Sequence, residues 1–559
     1  MWFDLILING RIMDGTGNPW FHADVAIKDG KIFKIGRLYS EKAAKIIDAS
    51  NLVVSPGFID IHNHSDTSLL VNPKMESKTM QGITTEMNGH CGGSPAPVNQ
   101  KTLEIKGLRV IPKEDVDWTT MGGYFQRLEK QGISQNVVTQ VGHGTVRLHT
   151  MGDDRRTATE PEIEEMKELV RAAMEEGAVG LSTGLAYSPG CYAHTDEIVE
   201  LAKVVAEYNG TYHSHLRESC SKVLGWTGEK GATYEAISEA IEIGRRSGVR
   251  LVQLSHLGSQ PPSSRDPDLS NKVRKLIDDS RDEGINVTTD ILPSNWGSVA
   301  PWPGRSVFSP AYLTDGKDKL LEKLGDPVQR AQLKKELLTK LPSEMGFENT
   351  TGRLLLIREG RGDCIWIYPP FNGHMKNPEY EYKTLEEIAD MKGKDLLDSL
   401  FDLIVEEKGN ISITNKVMDD RYGQLAWPTA MLSSDGGGIE RTGSEATKRV
   451  RPSAYGGFPE ALAWVRKKGL VTLEDMVRKM TSMPAGAIGL KDRGLLKEGF
   501  WADVAVFNPE TVKSRCTYEN DARPEYPEGI PYVVVNGQLI IDDSEHTGAL
   551  PGKVLRHPF

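Results

Sequence analysis

Thr159-Glu-Pro-Glu162-Ile163-Glu-Glu-Met166-Lys-Glu-Leu-Val170-Arg-Ala-Ala173-Met174-Glu-Glu-Gly177-Ala178-Val-Gly-Leu-Ser182 changes its hydrophobic rhythm midway. Thr159 and Glu162 stand at the spacing of a capping box, and Ile163, Met166, Val170, Ala173 and Met174 then recur at helical intervals. Gly177 ends that pattern, and Ala178-Val-Gly-Leu-Ser reads as a buried strand. The same unit repeats downstream. A helix opening at Thr195 and closing at Asn209-Gly210 leads into strand Thr211–His215; another ends near Gly248 and leads into Val249–Ser255; a further one ends at Gly284 and leads into Ile285–Asp290. Helices that alternate with short apolar strands imply a parallel sheet. With more such units on either side, the expected fold class is α/β, an eight-stranded (β/α)8 TIM-like barrel.

The two ends of the chain obey a different grammar. Leu5-Ile-Leu-Ile precedes Asn9-Gly10, and Asp24-Val-Ala-Ile runs through Asp29-Gly30 into Lys31-Ile-Phe-Lys-Ile, a hairpin signal. Near the other end stand Ala502-Asp-Val-Ala-Val-Phe and Tyr532-Val-Val-Val-Asn-Gly-Gln-Leu-Ile-Ile. Each set is too short for its own core, so the two are expected to pack into one composite β domain. The expected layout is residues 1–55 and 486–559 in that domain and 56–485 in the barrel. A Pro-, Lys- and Glu-rich insertion at 300–365 carries an amphipathic helix around Val328–Lys340 and stands late in the barrel.

Composition excludes several classes. The chain has 559 residues, 38% of them apolar and 26% charged, with 56 Gly and 30 Pro, which is globular rather than collagenous or disordered. Its net charge of −11, with no long basic run, argues against nucleic acid as a partner. No apolar stretch approaches the ~18 residues of a membrane span, so no membrane is expected. Five scattered cysteines do not form a disulfide framework, which points to a reducing compartment and a cytoplasmic location.

Chemistry is carried by Pro56-Gly-Phe-Ile-Asp-Ile-His62-Asn-His64-Ser-Asp66. Strand side chains alternate, so the two histidines of a His-x-His at a strand end point the same way, as two ligands to one ion must. Barrel strands present catalytic groups at their C-terminal ends. Polar residues recur at later strand ends: His213-Ser-His215, then His256 after Leu251-Val-Gln-Leu-Ser, then Asp435 before three glycines. Imidazoles plus a carboxylate suit borderline ions such as zinc. Cys91, in Gly89-His90-Cys91-Gly-Gly, follows an earlier strand and is a further candidate ligand, because thiolate binds zinc well. The ordinary alternatives are buried histidines bonded to carbonyls, an aspartate capping a helix and an inert buried thiol.

The order His-x-His, His, His, Asp resembles the metal-dependent amidohydrolase superfamily. Within it the chain is most similar to D-aminoacylases, the N-acyl-D-amino-acid deacylases. Supporting stretches are Gly89–Pro97, Val141-Gly-His143-Gly-Thr-Val-Arg147, Ser182-Thr-Gly-Leu-Ala-Tyr187-Ser-Pro-Gly190 and Thr547–Arg556. The resemblance implies a tightly held zinc on Cys91, His215 and His256, and a weaker second metal position on His62, His64 and Asp435. It implies a small-molecule amide as substrate, with Asp435 as general base. His143 and Tyr187 are candidates for substrate positioning. The fourth strand, Ala178-Val-Gly-Leu-Ser-Thr-Gly, has no lysine of the kind that hydantoinases and dihydroorotases carboxylate to bridge two metals.

Three departures bear on the substrate. The family's His-x-Lys is His256-Leu-Gly258 here, its Asp-x-Tyr-Pro-Tyr is Asp290-Ile-Leu-Pro-Ser294, and its His-Pro-Arg-x-Tyr-Gly is Arg451-Pro-Ser453-Ala-Tyr455-Gly456. The missing lysine and arginine grip the product's α-carboxylate in the family. Arg451 is the candidate replacement, with Arg441, Lys448 and Arg449 close in sequence. The leading expectation is zinc-dependent hydrolysis of an N-acyl-D-amino acid. The alternative is a same-fold hydrolase of a cyclic amide, carbamate or other amide without that carboxylate.

Overall fold

The Thr159–Glu162 capping box forms, with the Thr159 amide donating to Glu162 Oε2 at 2.8 Å. The helix Glu160–Glu175 turns Met166, Val170, Ala173 and Met174 inward, as their spacing requires. The structure is a computed structural model that describes residues 2–38, 41–105, 108, 111–217, 220–221, 226–227, 233–257, 268–293, 307–308, 316–340, 352–370, 374–415, 421–438, 450–517 and 524–558.

Eight strand positions line up in chain order. They are β1 (Phe58–Asp60), β2 (Ile83–Asn88), β3 (Asn136–Thr139, resumed at Val141–Gly142), β4 (Gly180–Gly184), β5 (Thr211–His215), β6 (Leu251–Leu254), β7 (Val287–Ile291) and β8 (Ala430–Leu432). Consecutive strands from β1 to β8 pair in parallel. Ile59, Met87, Val138, Leu251 and Met431, from five different strands, meet in one buried cluster with Ala487 and Ile488 of helix Ser482–Ile488. Non-adjacent strands of a ring meet only through its middle, so these side chains fill the barrel.

Among the described residues no strand ladder joins β8 to β1. Asp435 N donates to His62 O at 2.9 Å and His64 N to Gly436 O at 3.3 Å. Ser434 N donates to Asp60 Oδ1 at 3.0 Å. Lys78, fully buried, spans the join: its Nζ donates to Ser434 Oγ at 2.5 Å, Gly436 O at 2.7 Å and Asp60 Oδ2 at 3.2 Å, with Glu86 Oε1 3.6 Å away.

The two chain ends meet in one nine-stranded sheet. The joint is Val504–Phe507, antiparallel to Val53–Pro56. Leu5, Leu7, Val25, Ile27, Val54, Val504, Val506 and Val534 form its shared core. The Asp29-Gly30 hairpin forms with both residues at positive φ, 50° and 78°, as a tight right-twisted hairpin turn requires.

Between β7 and β8 the chain builds a separate core, with Leu320, Leu333, Leu337, Ile365, Leu400, Phe401 and Ile413 among its members. A helix forms where it is expected, at Pro327–Thr339, but it is not amphipathic: Leu333 and Leu337 are buried while Val328 and Leu338 are exposed. The insertion does not close at 365. Strand Ile365–Tyr368 pairs with Lys383–Thr384 and Ser412–Asn415 rather than with a barrel strand, so the excursion continues to Asn415. Helices Leu385–Lys392 and Leu396–Glu406 have the apolar periodicity of barrel helices, and periodicity does not say which core a face will meet. Of the expected insertion, residues 300–306, 309–315 and 341–351 lie outside the described residues. Among the described residues no helix is long and apolar enough to cross a membrane.

Candidate metal centre

The strand ends converge. His62 and His64 follow β1, Cys91 follows β2, His215 ends β5, His256 follows β6 and Asp435 follows β8. Among the described residues three donor sets each have their ligand atoms within 4.8 Å of one another: His62, His64 and Cys91; Cys91, His215 and His256; His62, His256 and Asp435. Cys91 Sγ is the hub, 3.3 Å from His62 Nε2, 3.5 Å from His215 Nδ1 and 3.6 Å from His256 Nε2. Asp435 Oδ1 lies 3.0 Å from His64 Nε2 and 3.6 Å from His62 Nε2.

The backbone aims these donors. Cys91, His256 and Asp435 all adopt left-handed φ, at 54°, 37° and 43°. Non-glycine residues enter that region at a cost of order 1–3 kcal/mol, and it persists where surrounding structure enforces it. Around Cys91 the enforcement is close packing of main chain. A Cβ on Gly92 would lie 2.6 Å from Gly184 N, and one on Gly184 would lie 2.4 Å from Cys91 O. Only glycine lets the loop after β2 rest on the end of β4. Beneath the donors, Asp290 on β7 faces His62 Nδ1 at 3.4 Å through Oδ2 and accepts from His256 N at 3.0 Å and Ser433 Oγ at 2.7 Å through Oδ1. One carboxylate therefore steadies groups from three strand ends.

The charges suit a cation. Burial pulls His62 down, yet Asp290 and Cys91 hold its pKa well above the ordinary histidine value. Burial also acts against His64, but Asp435 and Cys91 raise it to about 9. Burial pushes the Cys91 thiol up, and the neighbouring His62 and His215 more than reverse this, leaving it well below the usual thiol range. Asp435 is likewise opposed by burial and brought well below the usual carboxylate range by Arg451 and His64. A thiolate, a carboxylate and clustered imidazoles, of which burial keeps His215 below the ordinary histidine value, form a donor set for a borderline divalent ion. The residues present fit the metal that the sequence implies.

The remaining expected residues divide. Tyr187 belongs to the site: its hydroxyl donates to Cys91 O at 2.7 Å and its ring stands edge-on to His215 at 5.0 Å between centroids. Arg451 also reaches it, with Nη1 2.5 Å from Asp435 Oδ2. His143 does not. It is fully buried with Nε2 2.8 Å from Glu197 Oε1, and Arg147 binds the same carboxylate at 2.6 Å, so the ring is held in an ion cluster and does not line the cavity. Ser453 is buried, while Gly258, Ser294, Arg441, Lys448 and Arg449 lie outside the described residues. Sequence reasoning gave no role to Asp290, although an aspartate near the end of an apolar strand was the same signal that marked Asp435. It also passed over His90, which stacks on His62 at 4.1 Å, and Lys78, for which a lone lysine in Met75-Glu-Ser-Lys-Thr offers no signal.

A cavity of about 410 Å³ opens beside the donors, with His64, His90, Cys91 and Tyr187 in its wall.

An eight-stranded parallel barrel with these donors at one rim defines a metal-dependent hydrolase class, and comparison agrees. The sequence profile of the Amidohydrolase family matches residues 45–249 and 443–541, and the chain belongs to that family. It is 30% identical over 566 residues to D-aminoacylase of Alcaligenes xylosoxydans xylosoxydans, covering 99% of this chain and 97% of that protein. To N-acyl-D-glutamate deacylase of the same organism it is 31% identical over 558 residues, covering 99% and 96%. The crystal structure of N-acyl-D-glutamate deacylase from Bordetella bronchiseptica, complexed with zinc and a phosphonate mimic of the tetrahedral intermediate, matches with a TM-score of 0.73 at 30% identity over 100% of both chains. The likeness to D-aminoacylases thus spans the whole chain, which is a metal-dependent hydrolase of amide carbon–nitrogen bonds.

Proposed function

We propose that this enzyme hydrolyses N-acyl-D-amino acids to a carboxylic acid and a D-amino acid, with zinc as its metal. The observation that carries the reading is Cys91 Sγ within 3.6 Å of three imidazoles from three different strand ends, with Asp435 beside one of them, His62, and beside His64. Cys91, His215 and His256 would hold the tight ion, and His62, His64 and Asp435 a weaker second one. A bound zinc supplies polarisation of the scissile carbonyl and brings the pKa of water toward ~7.

The protein's own groups do the rest. Asp435, ionised and half shielded by Arg451, accepts the proton of the attacking water and returns it to the leaving nitrogen. His64 orients that carboxylate from 3.0 Å. Tyr187 walls the entrance and holds the Cys91 carbonyl. Arg451, already turned to the rim, supplies positive charge for the substrate's α-carboxylate, the task that Gly258 and Ser453 cannot perform. Charge-assisted hydrogen bonds of this kind are worth ~1.5–3 kcal/mol each.

The test is metal analysis of the purified protein together with a turnover screen of N-acyl-D-amino acids, their L-enantiomers and amides without a carboxylate. Bound zinc with D-selective release of the acyl group supports the reading. Preference for cyclic amides, carbamates or carboxylate-free amides would replace it with the alternative.

A further inference from the structure

We infer that the cavity beside Cys91 is an acyl-chain pocket, and that the enzyme prefers N-acyl groups of medium length over acetyl. The inference rests on the deacylase reading above and names the substrate class within it.

The argument starts from which residues line the space. Beside His64, His90, Cys91 and Tyr187 the lining includes an apolar set, Pro95, Pro97, Val98, Leu103, Leu108 and Leu148. It also has polar members: the carboxylate Asp66, and the hydroxyls of Ser94, Thr102 and Thr145, which donate to the main-chain oxygens of Ala96, Asn99 and Ser94. Pro95, Pro97, Val98 and Leu148 are buried, and Leu103 and Leu108 half-buried, so packed side chains shape a recess that opens on one side to solvent. Its volume of about 410 Å³ lies in the ~300–1,000 Å³ range of pockets that enclose whole small-molecule ligands. An acetyl methyl would leave nearly all of it to water.

Orientation follows from the placement of the base. Asp435 must face the leaving nitrogen to return a proton to it, which puts the amine half of the substrate toward β8. Asp435 does not line the cavity, whereas Cys91 and His64 do. The substituent on the carbonyl carbon therefore runs away from β8, past Cys91 and Tyr187, into the apolar recess. A linear alkyl or arylalkyl acyl chain matches the apolar part of the lining; an anionic one would meet the Asp66 carboxylate, and a polyhydroxylated one would meet hydroxyls whose protons are already given to main-chain oxygens.

The experiment holds the D-amino acid constant and lengthens the acyl group of the metal-loaded enzyme's substrate through acetyl, butanoyl, hexanoyl, octanoyl and decanoyl. A second series keeps acetyl and lengthens the side chain of the D-amino acid. Binding of the free carboxylic acids by titration calorimetry gives a readout independent of turnover. The expected result is a rise in kcat/KM of about fourfold per added methylene along the acyl series until the recess is full, with Kd of the free acids falling in parallel. Leu148→Trp and, independently, Leu103→Trp should lower the octanoyl-to-acetyl ratio of kcat/KM at least tenfold.

A flat acyl series with ready turnover of N-acetyl substrates overturns the pocket assignment and leaves the deacylase reading standing. A gain confined to the side-chain series overturns it in favour of a side-chain pocket. Absence of turnover in both series, with all substrates of D and L configuration, counts against the deacylase reading itself.

Discussion

Lys78→Met puts the barrel seam to the test. The side chain is fully buried, and methionine keeps most of its volume while removing the ammonium. Three donated hydrogen bonds disappear, to Ser434 Oγ, Gly436 O and Asp60 Oδ2, and two buried carboxyls, Asp60 and Glu86, lose their cation. Removing one partner of a buried charged group costs ~3–5 kcal/mol, and that is the expected loss at pH 7. The pH dependence has a definite sign. Burial and Asp60 raise Glu86 to about 8, against the lowering effect of Lys78 and of the Ser65 hydrogen bond. An acid raised in the folded state holds its proton there, and that contribution is lost as pH climbs through the folded value. Below about 8 Glu86 is neutral in both proteins. Above it the wild type ionises Glu86 against Lys78, while the variant has no counter-charge and must keep the proton longer. The deficit should therefore widen above pH 8, by up to ~1.4 kcal/mol per pH unit. Urea unfolding of metal-loaded protein at pH 7 and pH 9, followed by tryptophan fluorescence, measures both quantities. A deficit under ~1 kcal/mol, or one that does not change between the two pH values, refutes the account of the seam.

The remaining expectations concern the metal centre. Asp435→Asn should lower kcat at least about a hundredfold while metal content persists, since asparagine tolerates the left-handed φ of 43° and the tight donors are untouched; near-normal turnover would remove Asp435 from proton transfer. Cys91→Ala takes the hub from the cluster and should reduce metal content as read by elemental analysis; unchanged stoichiometry contradicts the ligand assignment. Tyr187→Phe removes one hydrogen bond to the Cys91 carbonyl and should lower kcat/KM by about tenfold or less, in line with the ~0.5–1.5 kcal/mol of a neutral bond; steady-state kinetics decide, and a loss of a thousandfold would give its hydroxyl a role in the chemistry.

Local signals carried most of the fold. Thr159 and Glu162, the Asp29-Gly30 turn and the strand-end histidines act through neighbours a few positions away, and periodicity is enough to expose them. The convergence of Cys91, His215 and His256 was legible because barrel topology brings all strand ends to one rim. What was hidden depends on tertiary partners. His143 looked available in sequence and is committed to Glu197; Lys78 carries no signal in the sequence and is the bolt of the seam. The far limit of the insertion was hidden for the same reason, because Leu396–Glu406 buries its apolar face against Leu320 and Ile365 rather than against a barrel strand.

The joint between Val53–Pro56 and Val504–Phe507 sets a clock on biosynthesis. Ser55 finds Ala505 across 450 positions of chain. At ~5–20 residues per second a ribosome needs roughly 20–90 s to deliver the second strand after the first. Throughout that interval an apolar edge waits with its ladder unmade, open to any passing strand. The nascent chain thus has its most vulnerable surface early and its remedy late, and slower initiation or a holding chaperone should raise soluble yield more than any change within the barrel.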